Sequence, residues 1–214
     1  MNNKRPLIVG IGGTTRPGSA TERYLQIALR AAEDSGARTL MLGAEALRIP
    51  LYEYGQVLQE PARELVDQLR QADGIILISP GYHGTVSGLV KNALDYVEEL
   101  REDSRPYFSG RAVGCMAVAG GWQAAVSTMT SLRGIVHALR GWPTPLGVAI
   151  NSGEATFTKE GDCQSPSINS QIQAMARQVM EFASLTSHGS TPAQPDVADI
   201  HRQQPPVTSL LAYR

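Results

Sequence analysis

Apolar and polar positions alternate along this chain with two different periods. Leu7-Ile8-Val9-Gly10-Ile11 is a short continuous apolar run, the pattern of a strand buried on both faces. Tyr24, Leu25, Ala28, Leu29 and Ala32 then recur every three or four residues and predict an amphipathic helix, which Gly36 closes. The pair repeats. Ala37–Leu42 reads as a second strand; Ala62, Leu65, Val66 and Leu69 form a helical stripe opened by Glu60-Pro61; Gly74–Ile78 is a third and strongly apolar strand. A helix after Gly88 carries Leu89, Val90, Ala93, Leu94 and Val97, and Arg101 to Gly110 is a polar excursion holding Tyr107 and Phe108. Arg111–Val118 is a fourth strand, Met129, Leu132, Val136 and Leu139 mark the next helix, and Pro145–Ile150 is a fifth strand. Ile168, Ile172, Met175, Val179 and Phe182 space out the last helix. Beyond about residue 187 the chain is rich in Pro, Gln, Ser and Thr without a period, so the expected division is a domain over 1–186 and a tail over 187–214.

Strands alternating with helices predict an α/β fold, a parallel sheet covered on both faces with ligands at the carboxyl ends of its strands. A five-stranded order of 2-1-3-4-5 sets strands one and three side by side at the switch point, with strand four next to three. The loops after strands one, three and four then carry the chemistry.

The first of these is Gly12-Gly13-Thr14-Thr15-Arg16-Pro17-Gly18-Ser19-Ala20-Thr21. A glycine-rich turn into a helix N-terminus exposes N–H groups at the positive end of the helix dipole, which attracts phosphate. Arg16 adds a fork of donors, and Thr14, Ser19 and Thr21 add hydroxyls. It is no P-loop, because Ser19 stands where the lysine is required, and no dinucleotide fingerprint, because position 15 is Thr where the third glycine belongs. What remains suits one terminal phosphate, against the plainer alternative of a turn that holds only water.

The second loop, Ser79-Pro80-Gly81-Tyr82-His83-Gly84-Thr85-Val86-Ser87-Gly88, exposes peptide groups beside a flat ring, and Gly120-Gly121-Trp122 offers a second wall. A planar heterocycle with polar edges fits between such walls. With a monophosphate pocket, the expected ligand is flavin mononucleotide (FMN).

Composition trims the alternatives. A net charge of −1 gives no footprint for nucleic acid or an anionic membrane, and the basic residues form no cluster along the chain. Cys115, in an apolar run, reads as a buried small hydrophobe; two cysteines and His83, His137, His188 and His201 have no metal-ligand spacing. No signal-peptide pattern or membrane-length apolar run stands out, so a cytoplasmic protein is expected.

On Gly13-Thr14-Thr15-Arg16 with Ser19 and Thr21, Ala72–Pro80, and Tyr82–Asn92 with Asp95, the chain resembles the flavodoxin-like NADPH-dependent FMN reductases over roughly Pro6 to Leu185. That family includes flavin reductases of two-component monooxygenases and relatives acting on quinones, azo dyes or metal oxyanions. The resemblance implies a flavodoxin-like three-layer sandwich. It implies that Thr14, Arg16, Ser19 and Thr21 hold the FMN phosphate, and that Pro80, Gly81, Tyr82, His83, Gly84, Thr85, Gly120, Gly121 and Trp122 line the isoalloxazine. Lys91 and Asp95 resemble the family's dimer or tetramer interface helix; read alone, they are a solvated i,i+4 pair. His83 departs from a frequent Asn, Thr85 from Ser and Ser87 from Pro, which leaves flavin binding intact and substrate preference open. The expected function is an NADPH- or NADH-dependent FMN reductase that supplies reduced flavin to a monooxygenase, with no protein acid, base or nucleophile required. The alternatives are an FMN-retaining quinone, azo or metal-ion reductase, and a flavodoxin-type electron carrier, against which the near-neutral charge argues.

Overall fold

The computed structural model describes residues 5–154, 157–158 and 161–188, with side chains described through residue 186. Among the described residues, seven strands and five α-helices follow one another as β1 (Leu7–Gly12), α1 (Ala20–Asp34), β2 (Arg38–Leu42), α2 (Ala62–Gln71), β3 (Gly74–Tyr82), β4 (Thr85–Val86), α3 (Gly88–Asp95), β5 (Ala112–Ala119), α4 (Trp122–Ala138), β6 (Trp142–Pro143), β7 (Val148–Asn151) and α5 (Pro166–His188). A 3-10 turn over Tyr96–Leu100 extends α3.

The parallel sheet runs β2-β1-β3-β5, with β6 and β7 both pairing with β5 at the far edge. This is the expected order with its fifth strand broken in two. Pro145–Ile150 is not one strand: the chain pairs at Trp142–Pro143, leaves the ladder, and returns at Val148. Pro145 has no N–H to give a ladder, and a Cβ on Gly147 would meet the Met129 sulfur at 2.7 Å, so the backbone sits too close to α4 for a regular strand.

β1, β3 and β5 are buried on both faces, which is why they read as unbroken apolar runs. Val9, Ile11, Ile75, Leu77, Val113 and Cys115 pack against α2, α3 and α4 through Leu65, Leu69, Val90, Leu94, Leu132 and Val136. Ile8, Ile76, Ile78, Met116 and Val118 pack on the other side against Leu25, Leu29, Ile172, Met175 and Val179 of α1 and α5. Cys115 lies in this core, and burial pushes its thiol up to about 12.

The sheet's amino edge is clamped by Arg111, which is 1% exposed. It donates to the carbonyls of Ala72 (2.9 Å), Tyr107 (2.6 Å) and Arg70 (2.9 Å), tying β5 to the carboxyl end of α2. Burial, then the neighbouring Arg105, lowers its pKa to about 9. Phe108 of the polar excursion is fully buried in the same region. The expected tail lies outside the described residues except for Ser187 and His188, where α5 ends; His201 lies outside as well.

Candidate functional site

Parallel neighbours bring the carboxyl ends of β1, β3 and β5 to one edge, and the three singled-out segments follow them there. The root of the first is fixed by close approach. A Cβ on Gly12, whose φ is +143°, would lie 2.0 Å from the Ile78 carbonyl oxygen, so the backbones of β1 and β3 touch where only glycine fits.

Thr14, Arg16, Ser19 and Thr21 all belong to the turn between β1 and α1, but they are differently disposed. The Thr14 hydroxyl stays within the turn: it accepts from the Arg16 N–H and donates to the Arg16 carbonyl, both at 3.1 Å. Ser19 caps α1, its hydroxyl accepting from the Glu22 N–H at 3.4 Å. Thr21 is buried in the first helical turn. The N–H groups of Ser19, Ala20 and Thr21 have no acceptor among the described residues, and neither has the exposed Arg16 guanidinium. Four donors at a helix N-terminus fit a phosphate.

Around this turn stand three residues that sequence reasoning passed over. Glu22, almost wholly buried, accepts from the Gly18 N–H and from the Ala44 N–H, each at 2.6 Å. Arg23 donates to the Gly18 carbonyl at 3.2 Å with its guanidinium 5.4 Å from the centre of the Phe157 ring. Arg48 donates to the Thr15 carbonyl at 3.0 Å. The basic residues therefore do gather in space, Arg16, Arg23 and Arg48 lying on or against one turn. Ser19-x-x-Glu22 is a capping-box pattern and was legible; the reach of Arg48 from the β2 side was not.

The second segment is a hairpin, not the open loop expected. β3 runs on through Tyr82 and pairs antiparallel with β4, Gly81 opposite Val86 and Tyr82 opposite Thr85. His83 (φ 52°) and Gly84 (φ 85°) make the turn, two positive φ values in succession as a type I′ turn requires. Pro80 is buried in the sheet opposite Val118, whereas Tyr82, His83 and Thr85 are exposed. The buried Ser79 hydroxyl closes the hairpin's base, donating to the Pro80 carbonyl (2.9 Å) and accepting from the Ser87 N–H (3.0 Å).

A stripe of hydroxyls on α4 holds the hairpin. Ser127 donates to the Gly84 carbonyl (2.5 Å), Thr128 to the Thr85 carbonyl (3.3 Å), and the Thr85 hydroxyl to Ser131 (3.3 Å). Gly81 packs so closely that a Cβ there would meet the Thr128 hydroxyl at 2.6 Å and Ala119 at 3.0 Å. The hairpin and Gly120-Gly121-Trp122, which starts α4, are thus joined. Trp122 is 52% exposed and its indole N–H donates to Glu154 at 2.9 Å; Asn151 donates to the same carboxylate oxygen at 2.6 Å. Tyr82 is equally exposed. The result is a rim with a donor-rich turn at β1 and half-exposed aromatic rings beyond β3 and β5. The residues present fit a flavin nucleotide: donors for a phosphate at one end, flat surfaces at the other.

Lys91 and Asp95 form a 2.5 Å ion pair on the exposed side of α3, and His137 is exposed on α4. Among the described residues there is no His, Cys, Asp and Glu grouping that could hold a metal ion, and no helix long and apolar enough to cross a membrane.

The sequence model of NADPH-dependent FMN reductases matches residues 6–155. An FMN-dependent NADPH-azoreductase of Staphylococcus aureus (strain USA300) is 31% identical over 120 residues, 56% of this chain and 59% of that protein, so the chain spans well under two thirds of that relative's length. In three dimensions it is similar to FerB, a flavoenzyme NAD(P)H:(acceptor) oxidoreductase from Paracoccus denitrificans, with a TM-score of 0.71 over 84% of this chain and 98% of that one at 15% identity. It is also similar to the apo form of an NADH:FMN oxidoreductase, EmoB, with a TM-score of 0.65 over 90% and 98% at 19% identity. At those identities the structural likeness concerns the fold, which is flavodoxin-like. The family match covers most of the chain and indicates FMN and NADPH as its nucleotides, so the chain belongs to the NADPH-dependent FMN reductase family.

Proposed function

We propose that this chain is an NAD(P)H-dependent FMN reductase acting in the cytoplasm, with the flavin held at the rim of β1, β3 and β5. The observation that carries the reading is the pairing of unsatisfied donors with flat walls on one sheet edge. The N–H groups of Ser19, Ala20 and Thr21 and the Arg16 guanidinium have no acceptor among the described residues, while Tyr82 and Trp122 stand half-exposed above neighbouring strands. Arg16 and the α1 terminus neutralise the phosphate. Gly81 to Thr85 and Gly120 to Trp122 would flank the ring and exclude water from its faces, while Pro80, buried opposite Val118, supports them from within the sheet. A flavin held there would supply the redox chemistry, hydride acceptance at N5 from the nicotinamide and electron delivery to an acceptor. The protein's work is orientation and charge: peptide N–H groups at the hairpin tip and at Gly120-Gly121 would stabilise negative charge on the reduced ring. No side chain is required as acid, base or nucleophile.

Supply of reduced flavin to a partner monooxygenase is the preferred role. Retention of FMN during reduction of azo compounds or quinones is the second, favoured by the likeness to the FMN-dependent azoreductase of Staphylococcus aureus. A homodimer or homotetramer built on the α3 face of Lys91 and Asp95 belongs to both. NADPH and NADH oxidation is measured with and without added FMN, then with an azo dye. Oxidation that needs added FMN, with colour lost on gel filtration, supports the first role; dye reduction by a protein that stays yellow supports the second. A protein that binds FMN and oxidises neither nucleotide is an electron carrier, and the proposal fails.

A further inference from the structure

The nearly buried Glu22 carboxylate bonds the Gly18 N–H in the β1–α1 turn and the Ala44 N–H beyond β2, both at 2.6 Å. We infer that Glu22 is a positioning residue for the flavin phosphate, an internal anion that fixes the turn so that the next N–H donors, of Ser19, Ala20 and Thr21, are left without an acceptor among the described residues. This rests on the proposed FMN site and goes beyond it.

The argument starts from the count of donors. A helix N-terminus has several N–H groups without intrahelical partners, and they compete for any acceptor nearby. In α1 the Glu22 N–H is taken by the Ser19 hydroxyl, and the Gly18 N–H, one residue before the cap, is taken by Glu22 itself. In the usual capping box the glutamate folds back onto the cap residue's own N–H. Here it passes that group by, and the Ser19 N–H has no acceptor among the described residues. The other carboxylate oxygen explains the choice: it is committed to Ala44, 22 residues along the chain, in the segment against which Gly13 also packs, its Cβ position 3.1 Å from the Ala44 nitrogen. The space is tight, since a Cβ on Gly43 would fall 2.5 Å from the same oxygen. Arg48, from the same side, holds the Thr15 carbonyl, so the turn is pinned at Gly18 from within and at Thr15 from without.

A carboxylate repels a phosphate if the two are close, so its presence beside an anion site is costly unless its hydrogen bonds shape the site. Two charge-assisted bonds to backbone N–H groups are among the stronger restraints a turn can have. The role concerns the phosphate end only and leaves the ring walls untouched.

The test compares dissociation constants for FMN and for riboflavin, which lacks the phosphate, in the full chain and in Glu22→Gln and Glu22→Asp, with thermal midpoints measured alongside. Gln puts an NH2 against one of the two N–H donors, and Asp is too short to reach both. The expected result is FMN binding weakened about tenfold or more, or about 1.4 kcal/mol, with riboflavin binding unchanged within about twofold. Unchanged or tighter FMN binding in the variants overturns the inference, and so does equal weakening of both ligands. Failure of the unsubstituted chain to bind FMN refutes the proposed function instead. Should neither variant fold, amide hydrogen exchange in the unsubstituted protein decides. Slow exchange at Gly18 and Ala44 without FMN, with Ser19, Ala20 and Thr21 slowing only when FMN is added, supports it; fast exchange at Gly18 and Ala44 overturns it.

Discussion

Replacing Gly12 with Ala tests whether the β1–α1 turn is held by backbone contact with β3. Two costs combine at this position. The backbone has φ +143°, a region that L side chains rarely adopt, with a strain on the order of 1–3 kcal/mol. The new Cβ also lies 2.0 Å from the Ile78 carbonyl oxygen and 2.5 Å from the Ile78 side chain, and since one obstacle is backbone in a buried central strand, β1 and β3 must separate. Overpacking of that kind costs about 1–3 kcal/mol. A total of about 3 kcal/mol lowers the thermal midpoint of a domain this size by roughly 6–12 °C. Gly120→Ala is the control: nothing lies within 4 Å of its Cβ position, so stability stays within about 1 kcal/mol even though the residue lies on the same rim. The assay is thermal and urea unfolding of both variants, followed by FMN titration of the folded protein. Gly12→Ala should also weaken FMN binding, because the turn that carries Arg16 and Ser19 moves with β1. A Gly12→Ala midpoint within 2 °C of the unsubstituted protein, or equal losses in the two variants, refutes the reasoning.

Other consequences are independent of that contact. Arg16→Ala removes a charged donor and should weaken FMN binding about tenfold or more while leaving riboflavin alone; equal affinity for FMN refutes the phosphate role. Thr128→Val deletes the hydroxyl that holds the Thr85 carbonyl and should cost about 1 kcal/mol in urea unfolding, with faster amide exchange confined to β4 and the hairpin turn. Arg111→Met removes the Arg111 bonds to the Tyr107 and Arg70 carbonyls and one of the two donors at the Ala72 carbonyl, which Arg105 also serves, and should destabilise the chain by about 2 kcal/mol or more without altering flavin affinity in the protein that remains folded. The Cys115 thiol is pushed up by burial to about 12 from an ordinary 9.0, so the unfolded chain loses its proton first and stability falls as pH rises from 9. The slope approaches about 1.4 kcal/mol per pH unit and should shrink between pH 9 and 10 in Cys115→Ala, where unfolding free energies are compared with the unsubstituted protein.

The sheet was legible because its central strands are buried on both faces: Leu7–Ile11, Gly74–Ile78 and Arg111–Val118 are runs that no other local structure explains as well. The edge was harder. Pro145 and Gly147 lie inside an apolar run and break it, since one has no N–H and the other lies against Met129, a tertiary fact. Ser79 to Gly88 reads as one loop because Pro and Gly punctuate its start, whereas the strand runs on through Tyr82 and the chain bends at His83-Gly84. His-Gly is a weaker hairpin signal than Asn-Gly or Asp-Gly, and the pairing depends on Ser127, Thr128 and Ser131, more than 40 residues away. In the same way Ser19-x-x-Glu22 announces a capped helix, but not the second bond to Ala44, which exists only once β2 lies beside β1.

The central claim is that a flavin monophosphate is bound on this rim and is reduced there by a nicotinamide nucleotide. It is tested most directly by mixing the FMN-equilibrated protein with NADPH under anaerobic conditions and following the flavin's visible absorbance. The account predicts saturable FMN binding, then bleaching with one NADPH oxidised per flavin and colour restored by air. Absence of FMN binding, or bound FMN that keeps its colour with both NADPH and NADH, contradicts it.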